Sequence, residues 1–169
     1  MLVLIVGLPG TGKTTFSLEL ANQIEAVHLN SDVVRSTLGH RGHYDIASKA
    51  AVYKELYNRA EELLQHGKDL IIDATLYKEV LRIPFDKLAK KFKIPVKWIE
   101  LKADEKTIKK RVGKKRQYSE ADFDVYLKIK SAYEPISQNH LVLWSDILKL
   151  EEMVEKAQEY LKLNEFSSK

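Results

Sequence analysis

Cysteine is absent from all 169 residues. Without it there is no disulfide framework, thiolate metal site or cysteine nucleophile, so any chemistry must come from carboxylates, hydroxyls, histidines or bound ions. Long apolar runs are missing as well. The longest, Leu2–Val6, is far short of a membrane span and lacks the basic flank and cleavage site of a secretory signal, which predicts a soluble, cytoplasmic protein. No linker, repeat or low-complexity tract divides the chain, and 44% apolar residues are enough for one core, so residues 1–169 are expected to form a single domain. The net charge of +4 and pI near 9.0 lean toward a polyanionic partner. The same balance also accompanies the lysine- and glutamate-rich compositions of thermophile proteins.

Strand and helix signals alternate along the chain. Leu2–Val6 is a short apolar run closed by glycine and reads as a strand buried on both faces. A helix follows with Phe16, Leu20 and Ile24 spaced by four. Residues 26–29 read as a second strand and 32–38 as a short helix capped by Ser31 or Asp32 and ended by Gly39. Beyond a polar loop at 40–44, Ile46, Ala50, Tyr53, Tyr57, Ala60 and Leu64 mark one face of a long helix that Gly67 stops. Residues 70–72, with Asp73 at their end, form a third strand, and 95–101 a fourth. Between them lies a lysine-rich helix through 86–92, with Pro84 in its first turn. A basic helix at 104–116, a strand at 141–143 and an amphipathic helix at 151–161 complete the chain. Alternation in units of this length requires parallel pairing through right-handed crossovers, which gives a three-layer α/β sandwich.

The first strand runs straight into Gly7, Leu8, Pro9, Gly10, Thr11, Gly12, Lys13 and Thr14, which satisfies G-x-x-x-x-G-K-[ST]. Strand, loop and helix come in the order that wraps backbone N–H groups around a phosphate at a helix N-terminus. Lys13 is expected to reach the β- and γ-phosphates of ATP and the Thr14 hydroxyl to ligate Mg²⁺. A bare turn would need neither side chain. Asp73 ends a strand expected beside the first and points to the same metal. Ala74 follows it, so the water-activating glutamate of motor ATPases is missing. No D-x-x-G follows this strand and no N-K-x-D follows the fourth, which leaves guanine-specific switch chemistry without its parts. Transfer to a hydroxyl is what remains.

Such transfer needs a carboxylate across the γ-phosphate from the loop, and Asp32 follows the second strand at the carboxyl edge of the sheet. Arg35, one helical turn on, is placed to hold an anionic group of the acceptor. Arg41, between His40 and His43, is a further candidate for the acceptor, or simply part of a surface loop. From Lys102 to Arg116 there are eight basic and two acidic side chains. A basic lid around 102–120 is expected, in which Arg111 and Arg116 meet the γ-phosphate.

With these motifs in place the sequence resembles the small P-loop kinases that include polynucleotide 5'-hydroxyl kinases, zeta toxins, chloramphenicol phosphotransferase and seryl-tRNA kinase. The resemblance runs through GLPGTGKTT (Gly7 to Thr15), NSDVVR (Asn30 to Arg35), DLIIDAT (Asp69 to Thr75), the basic segment and YEPI (Tyr133 to Ile136). It looks closest to predicted ATP-binding kinases whose acceptor is not generally assigned. It implies a P-loop NTPase fold with a five-stranded parallel sheet in the nucleoside monophosphate kinase order 2-3-1-4-5, with ATP and Mg²⁺ as cofactors and Thr15 part of the nucleotide site. Asp32 is implied as general base and Arg35 as a contact to the acceptor strand. The acceptor is either a nucleic-acid end or a small hydroxyl metabolite or antibiotic. An ATP-binding regulatory module is the remaining alternative, and no obligate protein partner is expected.

Overall fold

The computed structural model describes residues 1–113 and 122–162. Strands β1 (Leu2–Val6), β2 (Val27–Asn30), β3 (Leu70–Asp73), β4 (Val96–Lys102) and β5 (His140–Trp144) form one parallel sheet in the order β2-β3-β1-β4-β5. This is the order the resemblance implies. Helices α1 (Lys13–Gln23), α2 (Ser31–Thr37), α3 (Ile46–Gln65), α4 (Glu79–Phe92), α5 (Glu105–Val112), α6 (Phe123–Ser131) and α7 (Leu150–Lys162) complete the described chain.

All five residues of β1 are fully buried, because the pleat sends them alternately into two cores. Leu2, Leu4 and Val6 pack with Val52, Leu56, Phe85 and Leu88 of α3 and α4. Val3 and Ile5 pack on the other face with Phe16, Leu20, Val154 and Ala157 of α1 and α7. At about 1.5–3 kcal/mol for each large apolar side chain removed from water, this central strand is a firm base for the loop that follows it. A third, smaller cluster joins Ile108 and Val112 of α5 to Tyr126 of α6, with Leu8 of the loop against it. Among the described residues, no helix is long and apolar enough to cross a membrane.

Several local expectations are corrected. The cap of α2 is neither Ser31 nor Asp32: Asn30 accepts the backbone N–H groups of Asp32 at 2.8 Å and Val33 at 3.0 Å, and β2 is shifted one residue to include it. Ile46 is 89% exposed and Ala50 is also exposed, because the buried stripe of α3 runs through Ser48, Val52, Leu56, Ala60 and Leu64, with Tyr53 and Tyr57 flanking it. Pro84 lies beyond the first turn of α4, which starts at Glu79. The Glu79 N–H is satisfied at 2.6 Å by the carboxylate of Glu134, a distant partner that leaves no local signal. Helix α6 was not expected at all. Of the lid segment, residues 102–113 are described as the end of β4 and α5, whereas Arg116 lies outside the described residues.

Candidate functional site

Strand order sets the site out from left to right. The loop after β1 is central; residues after β2 and β3 lie to one side of it, those after β4 and β5 to the other. A cavity of about 710 Å³ opens above these strand ends, lined by Pro9, Gly10, Gly12, Lys13, Thr14 and Thr15, by Asp32, Arg35 and Asp73, and by Arg111. That volume is ample for a nucleotide-sized ligand.

The loop's shape depends on its glycines in a measurable way. Gly7 has φ +146°, and a Cβ there would stand 2.3 Å from the Leu101 carbonyl oxygen of β4. Gly10, at φ +85°, would meet Val112 Cγ1 at 2.8 Å, because α5 packs directly on the loop. Thr11 is buried and donates its hydroxyl to the Leu8 carbonyl at 2.9 Å, closing the turn, and Lys13 Nζ donates to the same oxygen at 3.0 Å. Gly7 and Thr11 thus shape the loop from below without lining the cavity.

On the β2–β3 side, the register puts Asn30 opposite Asp73, and Ile5 of β1 on the other flank of Asp73. The Asp73 carboxylate, 1% exposed, accepts from the Asn30 side-chain amide, and the same amide nitrogen donates to Thr14 Oγ1 at 3.2 Å. His28 Nε2 lies 3.3 Å from the same carboxylate oxygen of Asp73. A hydroxyl and a carboxylate therefore converge on one polar hydrogen-bearing group, and hard oxygens so placed suit Mg²⁺. Asp32 and Arg35 line the cavity on this side. Arg35 is 8% exposed: its Nη1 donates to the His43 carbonyl at 2.6 Å and its Cζ sits 4.7 Å from the Tyr44 ring centroid. One end of the guanidinium thus orders the 40–44 loop. Arg41 is exposed on that loop and does not line the cavity. Burial pushes the Tyr53 phenol up to about 12, keeping a proton on this wall throughout the neutral range.

On the opposite side, Arg111 in the last turn of α5 reaches over the loop. Its guanidinium donates to Ser145 Oγ at 2.7 Å, to the Ser145 carbonyl at 2.9 Å and to the Gly10 carbonyl at 3.4 Å. Ser145 Oγ in turn donates to the Thr11 carbonyl at 2.7 Å. Leu148, Leu150 and Met153 supply apolar wall beyond it.

Asn30, His28 and Ser145 were not singled out from the sequence. Asn30 had one available signal, a short polar side chain immediately before a helix. Ser145 had only its place after a strand.

Comparison with known proteins gives a consistent result. A family model described as an AAA domain matches residues 2–136. Among solved structures the chain is similar to the APS kinase of Mycobacterium tuberculosis in complex with AMPPNP and APS, with a TM-score of 0.73 at 18% identity over 95% of this chain and 96% of that one. It is similar to a sugar kinase from a Janibacter species, with a TM-score of 0.71 at 20% identity over 96% and 95%. A gluconokinase from Sinorhizobium meliloti gives a TM-score of 0.71 at 13% identity over 99% and 97%. At such identities the likeness is one of fold.

Proposed function

The chain belongs to the AAA domain family and has the fold of the P-loop kinases, and from that premise we propose that it is an ATP-dependent phosphotransferase acting on a hydroxyl group. The observation that carries this reading is the placement of Asp73, at the end of β3, and Asp32, in the first turn of the helix after the neighbouring β2, around one cavity that the glycine loop also lines. Lys13 and the loop N–H groups bind the β- and γ-phosphates. Thr14 and Asp73 would hold Mg²⁺, which would supply positive charge to offset that of the phosphates. Asp32 takes the proton of the acceptor hydroxyl as its oxygen bonds to the γ-phosphorus; the bond to the β,γ-bridging oxygen breaks, and ADP leaves with that electron pair. Arg111, and Arg116 from the basic segment, meet the charge on the transferring group.

The acceptor lies on the β2–β3 side, beside Arg35 and with Arg41 on the adjacent loop. The resemblance in Asn30 to Arg35 favours a polynucleotide 5'-hydroxyl. The likeness to a sugar kinase and a gluconokinase supports a small hydroxyl metabolite instead. A cytoplasmic setting, where ATP is available, suits either. Incubation with γ-labelled ATP and separate pools of oligonucleotides and small hydroxyl compounds tests the reading: label is expected in one pool. Steady ATP hydrolysis with label in neither pool would make the chain a nucleotide-hydrolysing module.

A further inference from the structure

The acceptor wall carries a charge imbalance that neither ATP nor the catalytic groups account for. Lys49 of α3 lines the cavity, with Nζ 6.0 Å from the centroid of the Tyr77 ring. Lys78, the residue before α4, brings a second ammonium to 5.9 Å from the same ring. Val125 and Ile129 of α6 face the cavity one turn apart, and Lys128 stands beside them. None of these three lysines is ion-paired to a described residue. Asp45, the acidic side chain that acts on Lys49, is itself engaged by Ser48, whose backbone N–H donates at 2.9 Å and whose hydroxyl at 2.6 Å. The consequence is visible at Lys49, whose ammonium is held below the usual lysine range, first by burial and then by repulsion from Lys128, Arg35 and Lys78.

Like charges drawn together from three separate elements, beside an aromatic ring and next to a cavity, are relieved by an anion. We propose that Lys49 and Lys78, which flank Tyr77, together with Lys128 of α6 form a second phosphate site, and that the acceptor is a hydroxyl compound already carrying a phosphate group of its own. A phosphate monoester brings nearly two negative charges and three acceptor oxygens, which matches three ammonium groups better than a carboxylate does. Tyr77 offers the rest of the acceptor a flat face. The phosphate site is a property of the cavity wall, but its assignment to the acceptor rests on the kinase reading above.

Two measurements separate the claims. First, the full chain is saturated with AMPPNP, so that the P-loop is filled, and titrated with inorganic phosphate while Lys49→Met and Lys128→Met are run alongside. Saturable binding to the wild type, weakened ten-fold or more in each variant with AMPPNP affinity retained, is the expected result. Absent binding, or binding indifferent to both lysines, overturns the site. Sulfate in place of phosphate should compete; acetate should not, and equal competition by acetate would overturn the phosphate assignment. Second, matched acceptors with and without a phosphate, such as a nucleoside 3'-monophosphate with its nucleoside and a sugar phosphate with its sugar, are compared with γ-labelled ATP. A KM at least ten-fold lower for the phosphorylated member is expected, with that preference lost in Lys49→Met. Equal use of both members overturns the acceptor assignment while leaving the kinase reading intact. Failure to label any acceptor, with phosphate still bound, counts against the kinase reading and takes the acceptor assignment with it.

Discussion

The two rims of the cavity are built from different material. On the β1–β4–β5 side the contacts are closed: Arg111 is tied to Ser145 and Gly10, Ser145 to Thr11, and Thr11 to Leu8. Backbone carbonyls and short side chains satisfy one another there, so the loop is held in shape before any ligand arrives. On the β2–β3 side the interactions stay partly open. Arg35 keeps a buried Nε without a partner, and Lys49 and Lys78 lean on an aromatic ring rather than on a carboxylate. On the proposed reading the completed rim would serve ATP, and the rim with polar groups still to be satisfied would serve the acceptor.

Substitutions at each rim can break this contrast. The largest effect is expected at the floor both rims share. Lys13→Ala removes a charge from the loop but no core contact, and should lower transfer by about 10³-fold or more while the circular dichroism spectrum stays that of the wild type. Near-normal turnover would sink the nucleotide assignment. Next comes the open rim: Asp32→Asn should slow transfer by about 10²-fold or more with ATP affinity nearly unchanged by calorimetry. Its helix should survive, since the α2 cap is supplied by Asn30. On the closed rim, Arg111→Ala should reduce kcat by roughly ten-fold and also lower the melting temperature, because it releases both Ser145 and the Gly10 carbonyl. Lysine at that position should restore little, since one ammonium cannot reproduce a forked contact. An effect confined to the KM for ATP would make Arg111 an ordinary binding residue.

The smallest effect concerns pH at the edge of the open rim. Two hydrogen bonds from Ser48 depress the Asp45 carboxyl from 3.8 to about 2. A folded-state value below the unfolded one means that its contribution is whole above about pH 4 and is lost as pH falls through about 2. The melting-temperature gap between wild type and Asp45→Ala should therefore shrink between pH 5 and pH 2; a constant gap would show that the cap acts without its charge.

The floor and single residues at its edges were legible in the sequence because their signals are local. Leu2–Val6 is apolar throughout and feeds a loop whose spacing is defined by eight consecutive residues, and Asp73 stands at a strand end. Asp32 was found for the same reason. Asn30 was missed because its role needs the register that sets it against Asp73, together with the approach of Thr14 from α1. A one-residue error in the end of β2 was enough to move the cap to its neighbours. The start of α4 depends on Glu134, and the grouping of Lys78 and Lys128 with Lys49 on elements that only tertiary packing brings together. The stripe of α3 was misjudged at Ile46 and Ala50 because the buried face opens on a polar residue, Ser48, and runs on through Val52, Leu56, Ala60 and Leu64.

The close approach of Gly7 to Leu101 and of Gly10 to Val112 bears on descent as well as on shape. Those two glycines answer to a neighbouring strand and helix whatever the loop binds. A lineage that ceased to bind nucleotide would still have to retain them to keep its sheet and α5 in place, whereas Lys13, Thr14 and Asp32 would be free to drift. Glycines at these positions would testify to a common architecture, and only the lysine, the hydroxyl and the aspartate would testify to the proposed chemistry.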